Sequence, residues 1–347
     1  MRKSVRILLT GGGSGGHIIP NLAVASAIKD RQPDAKLLYV SSRSKLDAGL
    51  LKGTGIPVRR IFSGKWRRYF SWQNFIDPFF VLLGFFQSLI ILIRFRPHIV
   101  FSKGGFVSLP VVLAAFLLRR RIILHESDSR MGIANRIASG LASVVCVAFP
   151  DLLKKGKKYR MTGNPIRTEI AQGSTAKGYR LTGFKAGIPV LLVWGGSQGA
   201  AEINNLIKKD FENLTRKFQI IHITGPDKDI GKKNSNYISF EYLDQELKHI
   251  YAITDLVIGR AGANSLYELA YLGKPNIIIP LNNSDQLNNA RYFEEKGASI
   301  VRKGTDRLFD MARNLWQNKA LQNAMKKALA EISGNHANDK IASIILD

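Results

Sequence analysis

One cysteine, Cys146, stands among 347 residues. A single thiol excludes an internal disulfide, and with no second cysteine beside it a thiolate metal site is not expected. That usage suits a reducing, cytoplasmic compartment. Acidic residues are also scarce: 26 Asp and Glu face 51 Lys and Arg, a formal charge of +25. The shortage is concentrated in one half. Residues 1–160 hold 7 acidic and 27 basic side chains, whereas 161–347 hold 19 and 24. A basic excess gathered in one half implies an anionic partner: nucleic acid, an anionic bilayer or a phosphate-bearing substrate. Long apolar runs are missing too. The strongest, Phe79–Ile93, has 15 residues and contains Gly84, Gln87 and Ser88, below the about 20 needed to span a bilayer. No integral membrane segment is expected. Met1-Arg2-Lys3 and the short run Val5–Leu9 do not make a secretory signal.

What is present is the composition of a globular protein, 45% hydrophobic and 22% charged. Short apolar runs alternate with helical stretches. Val5–Leu9, Lys36–Val40, Ile99–Ser102 and Arg121–Leu124 read as strands, and Leu22–Ile28 and Val111–Leu118 as helices. The pattern restarts at Val190, with strands at Val190–Trp194, Ile220–Thr224, Leu256–Ile258 and Asn276–Pro280 and a helix at Ala200–Lys208. Alternation of this kind predicts parallel sheets wound with helices on both faces. Gly163-Asn164-Pro165 is a natural break. Two α/β, Rossmann-like doubly wound domains are therefore expected, 1–162 and 163–347, the last helix being able to pack back on the first domain.

Glycine loops follow the strands. Thr10-Gly11-Gly12-Gly13-Ser14-Gly15-Gly16-His17 comes directly after the first, with its helix expected to open at Pro20. Glycine lets backbone approach a ligand closely, and amides at a helix start favour an anion. The loop lacks the Lys-Ser/Thr pair of an NTPase loop. Gly11, Gly13 and Gly16 fit a dinucleotide fingerprint, yet no acid follows about 20 residues later at a strand end, where Ser41-Ser42 stands instead. Gly195-Gly196-Ser197-Gln198-Gly199 repeats the context in the second half, and Ser102-Lys103-Gly104-Gly105-Phe106 adds a third loop. In open α/β sheets ligands lie beyond the carboxyl ends of the strands. Two such domains with these ends facing would form a cleft taking a ligand from each side.

Two polar clusters share that context. His125-Glu126-Ser127-Asp128 follows one strand; His125 reads equally as a functional group or as a histidine bonding a loop backbone. Arg260-Ala261-Gly262-Ala263-Asn264-Ser265-Leu266-Tyr267-Glu268 follows another. Ser265-x-x-Glu268 has the form of a capping box, and Glu268 could alternatively accept two ribose hydroxyls. A dense apolar group, Phe75, Ile76, Phe79, Phe80, Leu82, Leu83, Phe85 and Phe86, is flanked by Lys65, Arg67, Arg68, Arg94 and Arg96, with Arg119-Arg120-Arg121 beyond. An apolar face ringed by cations is the pattern of a helix lying in a membrane interface. Part of this stretch must also be core.

Taken together these motifs resemble the MurG family, GT-B-fold N-acetylglucosaminyltransferases that make lipid II from lipid I. The resemblance runs from Gly11 to about Asn289 and includes Ser102–Pro110, Ala134-Asn135-Arg136, Gly163–Arg167, Gly195–Ala200 and Gln286 with Asn289-Ala290. It implies a UDP-N-acetylglucosamine donor and an undecaprenyl-pyrophosphoryl-MurNAc-peptide acceptor, at the cytoplasmic face of the cell membrane as a peripheral enzyme of peptidoglycan synthesis. It places Arg167, Ser197, Leu243, Glu268 and Gln286 on the donor, with Ser14, Gly15, Gly16 and Asp128. Gly12, Gly13, Gly104 and Gly105 fall at the acceptor diphosphate, and Phe75, Phe79, Phe80, Leu83 and Phe86 at the membrane. His17 falls where a general base or an acceptor-positioning group is proposed.

Three departures bear on the donor sugar. The family's His-Glu-Gln-Asn is here His125-Glu126-Ser127-Asp128, its Asp-His-Gln is Ser284-Asp285-Gln286, and Leu287 replaces a second glutamine. No DxD-like acidic pair lies at these loops, so neither a metal nor another cofactor is expected. The expected reaction is direct displacement with inversion, with Asp128 and Glu126 as alternative bases. Competing readings are a related lipid glycosyltransferase with another acceptor and a basic nucleic-acid-binding protein. Against the second, the basic residues do not interleave with exposed aromatics, and no nucleic acid partner is expected.

Overall fold

In a computed structural model the chain is described at residues 4–64, 73–196, 199–282, 284–333 and 336–347, with backbone alone at 73–76. Two compact units divide it: residues 1–167 with 336–347, and residues 168–335. The division falls after Arg167 rather than before Gly163, and the last helix belongs to the first unit.

Seven strands form the sheet of the first unit: β1 (Arg6–Thr10), β2 (Lys36–Ser41), β3 (Val58–Arg60), β4 (Ile99–Ser102), β5 (Arg121–Glu126), β6 (Val144–Val147) and β7 (Tyr159–Met161). Their order is β3-β2-β1-β4-β5-β6-β7, with every pairing parallel. Its helices are α1 (Gly15–Arg31), α2 (Lys45–Leu51), α3 (Gln73–Phe95), α4 (Ser108–Leu117) and α5 (Ile133–Leu141). Ile7 and Leu9 enter an apolar cluster on one face of the sheet with Ile18, Val24, Ile28 and Phe101. Leu8 enters a second cluster with Val100, Val111 and Leu124. Successive strand side chains point to opposite faces, so a strand covered on both sides must be apolar throughout. Cys146 is buried, and burial pushes its thiol up to about 12; it is a packing residue.

The second unit repeats the plan. Its helices are α6 (Thr175–Thr182), α7 (Ala201–Lys209), α8 (Phe211–Lys217), α9 (Leu247–Ile253), α10 (Ala263–Leu272), α11 (Gln286–Glu295), α12 (Leu308–Gln317) and α13 (Lys319–Ser333). Strands β8 (Val190–Trp194), β9 (Gln219–Ile223), β10 (Tyr237–Phe240), β11 (Leu256–Gly259), β12 (Asn276–Ile278) and β13 (Ile300–Val301) lie in the order β10-β9-β8-β11-β12-β13, all parallel. Helix α14 (Ala337–Leu346) returns to α1 in the first unit and buries Ile341, Ala342 and Ile345.

Three local expectations are corrected. Helix α1 opens at Gly15, not Pro20: Ser14 is extended and His17 N–H donates back to Ser14 O at 3.2 Å. Helix α10 opens at Ala263 after Gly262, which places Ser265 and Glu268 inside the helix, so they form no capping box. Helix α3 is 23 residues long, because the polar flanks and Pro78 are helical as well. Its segment Asp77–Phe95 is long and apolar enough to cross a membrane by length and composition, with 17% of it buried. The expectation that this stretch is too short is therefore overturned. One side of α3 is fixed to the first unit: Gln87 accepts the Phe62 amide at 2.8 Å, and Ser88 and Leu92 are buried. The outward stripe of Phe79, Leu82, Leu83, Phe86, Ile90 and Ile93 is exposed, with Phe79 at 72%.

Candidate functional site

In each sheet the chain reverses its direction of winding between two central strands, β1 and β4 in the first and β8 and β11 in the second. The carboxyl ends at such a switch point leave a crevice where α/β proteins bind ligands. The glycine loops fall there in both units: Thr10 pairs with Ser102, and Trp194 with Gly259.

In the first unit two loops interlock. Asn21 Nδ2 donates to Thr10 O at 3.0 Å and to the Tyr39 hydroxyl at 2.9 Å, and that hydroxyl donates to Gly11 O at 3.0 Å. Gly13 N–H donates to Asp47 Oδ1 at 2.9 Å. On the facing loop Gly105 has φ +83°, and a Cβ there would stand 2.6 Å from Gly12 O and 3.0 Å from His17 Cδ2. Only glycine brings the two backbones this close. Gly12, Gly13, Gly104, Gly105 and His17 are thus one assembly, with Ser14, Gly15 and Gly16 at the start of α1 beside it.

His17 is half-buried, and its Nδ1 lies 3.3 Å from Lys103 O. A carbonyl only accepts, so Nδ1 carries the proton and Nε2 the lone pair. Burial first, then the Lys103 cation, lowers the ring's pKa to about 4. The imidazole is neutral at pH 7.

Beyond β5, His125 is buried and its Nε2–H donates to Gly163 O at 2.9 Å. Burial and Lys103 lower its pKa well below the usual range. This is the backbone-bonding histidine of the two readings left open by sequence. Glu126 accepts from the Asp128 and Gly132 amides and from Asn135 Nδ2 at 3.1, 3.3 and 2.9 Å. Burial and the neighbouring Asp128 raise its pKa. Lys103, itself buried, donates to Ser127 Oγ, which donates to Asn164 Oδ1 at 2.9 Å. Burial lowers the Lys103 pKa, while Glu126 and Asp128 favour its charge. The departures at Ser127 and Asp128 therefore fall within an ammonium–carboxylate cluster. Arg167 ends the first unit's long segment, half-buried.

In the second unit Gly195 and Gly196 lead from β8 toward α7; Ser197 and Gln198 lie outside the described residues, as do Lys65, Arg67, Arg68 and the side chains of Phe75 and Ile76. Arg260, following β11, donates through Nη1 to Ile279 O and Pro280 O at 3.0 and 3.2 Å and pairs with Glu202 of α7 at 2.8 Å. One guanidinium thereby ties together three segments at the strand ends. Asn289 Nδ2 donates to Ala261 O at 3.2 Å and fixes α11 to the same loop. Gln286 opens α11, its Oε1 accepting the Leu281 amide at 3.1 Å. Glu268 is buried on α10, and Leu243 is half-buried between β10 and α9. Among the described residues no group of three or more His, Cys, Asp and Glu could hold a metal ion.

Sequence reasoning missed Asp47. It lies on α2, six residues beyond the end of β2, where no fingerprint looks for an acid. Its only local signal is Ser44, which caps α2 by accepting the Asp47 amide at 3.1 Å.

The N-terminal domain model of glycosyltransferase family 28 matches residues 7–147, and its C-terminal domain model matches residues 190–342. Curated relatives carry the name UDP-N-acetylglucosamine--N-acetylmuramyl-(pentapeptide) pyrophosphoryl-undecaprenol N-acetylglucosamine transferase. One from Clostridium botulinum (strain Loch Maree / Type A3) is 45% identical over 307 residues, covering 86% of each chain. One from Clostridium kluyveri is 40% identical over 346 residues, covering 94% of this chain and 97% of its own. The crystal structure of Acinetobacter baumannii MurG, 22% identical, has the same fold with a TM-score of 0.72 and covers 99% of each chain. The fold is thus the expected GT-B class of two parallel-sheet α/β domains, and the chain belongs to glycosyltransferase family 28 and, within it, to the MurG glycosyltransferases.

Proposed function

We propose that the protein moves N-acetylglucosamine, with inversion, from UDP-N-acetylglucosamine to the C4 hydroxyl of the N-acetylmuramyl unit of lipid I, giving lipid II for peptidoglycan synthesis. The relatives' names support the substrates. The observation that carries the chemistry is the His17 ring, whose Nδ1–H is engaged by Lys103 O so that Nε2 is the accepting nitrogen. As the hydroxyl oxygen bonds to C1 of the donor sugar, Nε2 takes its proton and the bond to UDP breaks. A ring with pKa lowered to about 4 is a weak base, and proton transfer then comes late, once the hydroxyl has become acidic through attack.

The departing diphosphate gathers negative charge. The amino end of α7 is proposed to supply the opposing dipoles, with Ser197 as a proposed donor contact. Arg167, Leu243, Glu268 and Gln286 are proposed donor contacts, as are Ser14, Gly15, Gly16 and Asp128. Gly104 and Gly105, with Gly12 and Gly13, are proposed for the acceptor diphosphate. The exposed stripe of α3, with Phe79, Phe80, Leu83 and Phe86, is proposed to lie in an anionic membrane surface at the cytoplasmic face. Phe116 and Leu117 at the end of α4 are exposed as well, Arg94 lies in the last turn of α3, and Arg96, Arg119 and Arg120 follow the two helices. Apolar bulk beside cations suits peripheral binding to such a surface.

The test is transfer to a lipid I analogue from UDP-N-acetylglucosamine against UDP-glucose, with His17→Ala alongside. Preferred transfer from UDP-N-acetylglucosamine and a loss of about 10²-fold or more in His17→Ala are expected. No transfer from that donor refutes the substrate reading, and unchanged turnover in His17→Ala refutes the base.

A further inference from the structure

Asp47 is 0% exposed. Its Oδ1 accepts the Gly13 amide at 2.9 Å, and its Oδ2 accepts the Ser42 amide at 3.0 Å and the Ser42 hydroxyl at 2.7 Å. Both oxygens meet only donors, which is the pattern of an ionised carboxylate. Gly12 runs so close above it that a Cβ there would stand 2.4 Å from Oδ2. The charged groups facing His17 among the described residues are Lys103, on the β4 loop, and Asp47, on α2; the first lowers the ring's proton affinity and the second raises it.

An acid buried under a loop that must receive phosphate needs an explanation, since its charge opposes an anion there. The hydrogen bonds supply one. The Gly13 amide donates to one oxygen of Asp47 and Ser42 to the other, so the backbone of the first loop is pinned to α2 and the end of β2. The carboxylate also partly offsets the Lys103 cation at the imidazole. We propose that Asp47 is a positioning residue of the transfer reaction: its carboxylate fixes the first glycine loop beside His17 and sets a negative charge against the Lys103 cation there. This rests on the reading of His17 as the base.

Asp47→Asn keeps the size and one acceptor oxygen while removing the charge. Its kcat with a lipid I analogue is expected to fall at least about tenfold, with UDP affinity within about twofold of the unsubstituted protein. The acid limb of its kcat/KM profile is expected to move to lower pH, as is the His17 ring titration followed by NMR on the full chain. A purely structural role would lower the rate without moving either. Unchanged kcat, or an acid limb and ring titration that both stay in place, overturns the proposal. Should Asp47→Asn fail to fold, Asp47→Glu retains the charge: kcat is expected to fall with the acid limb unmoved, and a displaced limb overturns the proposal. Failure of the functional reading is separable. If the unsubstituted protein transfers nothing, the base role is lost, whereas the ring titration needs no substrate and still decides the charge coupling.

Discussion

Replacing Gly105 by alanine tests the interlocked loops most directly. Its φ of +83° costs an L-residue roughly 1–2 kcal/mol. The new methyl would also stand 2.6 Å from Gly12 O, where ordinary contact begins near 3.4 Å. The two backbones must therefore part by about 0.8 Å, and His17, whose Cδ2 would be 3.0 Å from the same methyl, moves with them. A misplacement of about 1 Å at a reacting group costs on the order of 10²-fold in rate. Gly105→Ala is expected to lower kcat toward a lipid I analogue by about 10- to 100-fold. The strain lowers the melting temperature by about 2–8 °C for units of this size. UDP affinity, measured by calorimetry, is expected to fall less than kcat, because Leu243, Glu268 and Gln286 belong to the other unit whereas only Ser14, Gly15 and Gly16 lie beside the displaced loop. A Gly105→Ala protein with unaltered kcat would refute the claim that this close approach positions His17.

Acid is expected to destabilise the fold through its buried histidines. His222 is held between the Tyr237 hydroxyl and Asn204 Oδ1 at 3.0 and 3.1 Å, and burial lowers its pKa to about 4. The unfolded chain binds the proton more readily, so the contribution is complete above pH 6.5 and is lost as pH falls toward 4, amounting to a few kcal/mol. His222→Gln is expected to flatten the decline in urea-unfolding free energy between pH 6.5 and 4; an unchanged slope counts against it. On α3, Phe86→Asp, at a position 53% exposed, is expected to weaken binding to anionic vesicles while shifting unfolding free energy by no more than about 0.5 kcal/mol. Leu92→Ala, on the buried side of the same helix, is expected to do the reverse, costing about 2–5 kcal/mol. Equal vesicle binding by both variants would show that the outward stripe is not the contact.

Much of this molecule was legible because its signals are local. Strands covered on both faces write themselves as apolar runs, and the ends of β1, β4 and β8 are marked by glycines that a close approach demands. Helix starts were less legible. Ser265 and Glu268 satisfy a capping spacing, yet α10 already begins after Gly262, since a glycine can hold the extended cap position as well as serine. The length of α3 escaped notice because Asn74, Asp77 and Pro78 interrupt the apolar run without interrupting the helix. Asp47 and the bond from Lys103 to Ser127 were illegible for another reason. They join residues brought together by strand order, Gly13 with Asp47 and Lys103 with Ser127, and no spacing along the chain records which strands are neighbours.

Helix α14 gives the first unit a history as well as a shape. Asn338 accepts the Ile166 amide at 3.1 Å and donates to the Ile166 carbonyl at 2.9 Å, while Ile341 and Ile345 close the cluster around α1. The second unit is in effect inserted into the first. On the ribosome, residues 168–335 can collapse as soon as they emerge, but the earlier-born sheet waits for the final dozen residues to seal one of its faces. Domains made during synthesis usually finish in order from the amino end. Here the segment that completes the first cluster follows the second unit in the chain, so Ile18, Val24 and Ile28 lack their α14 partners until it is made.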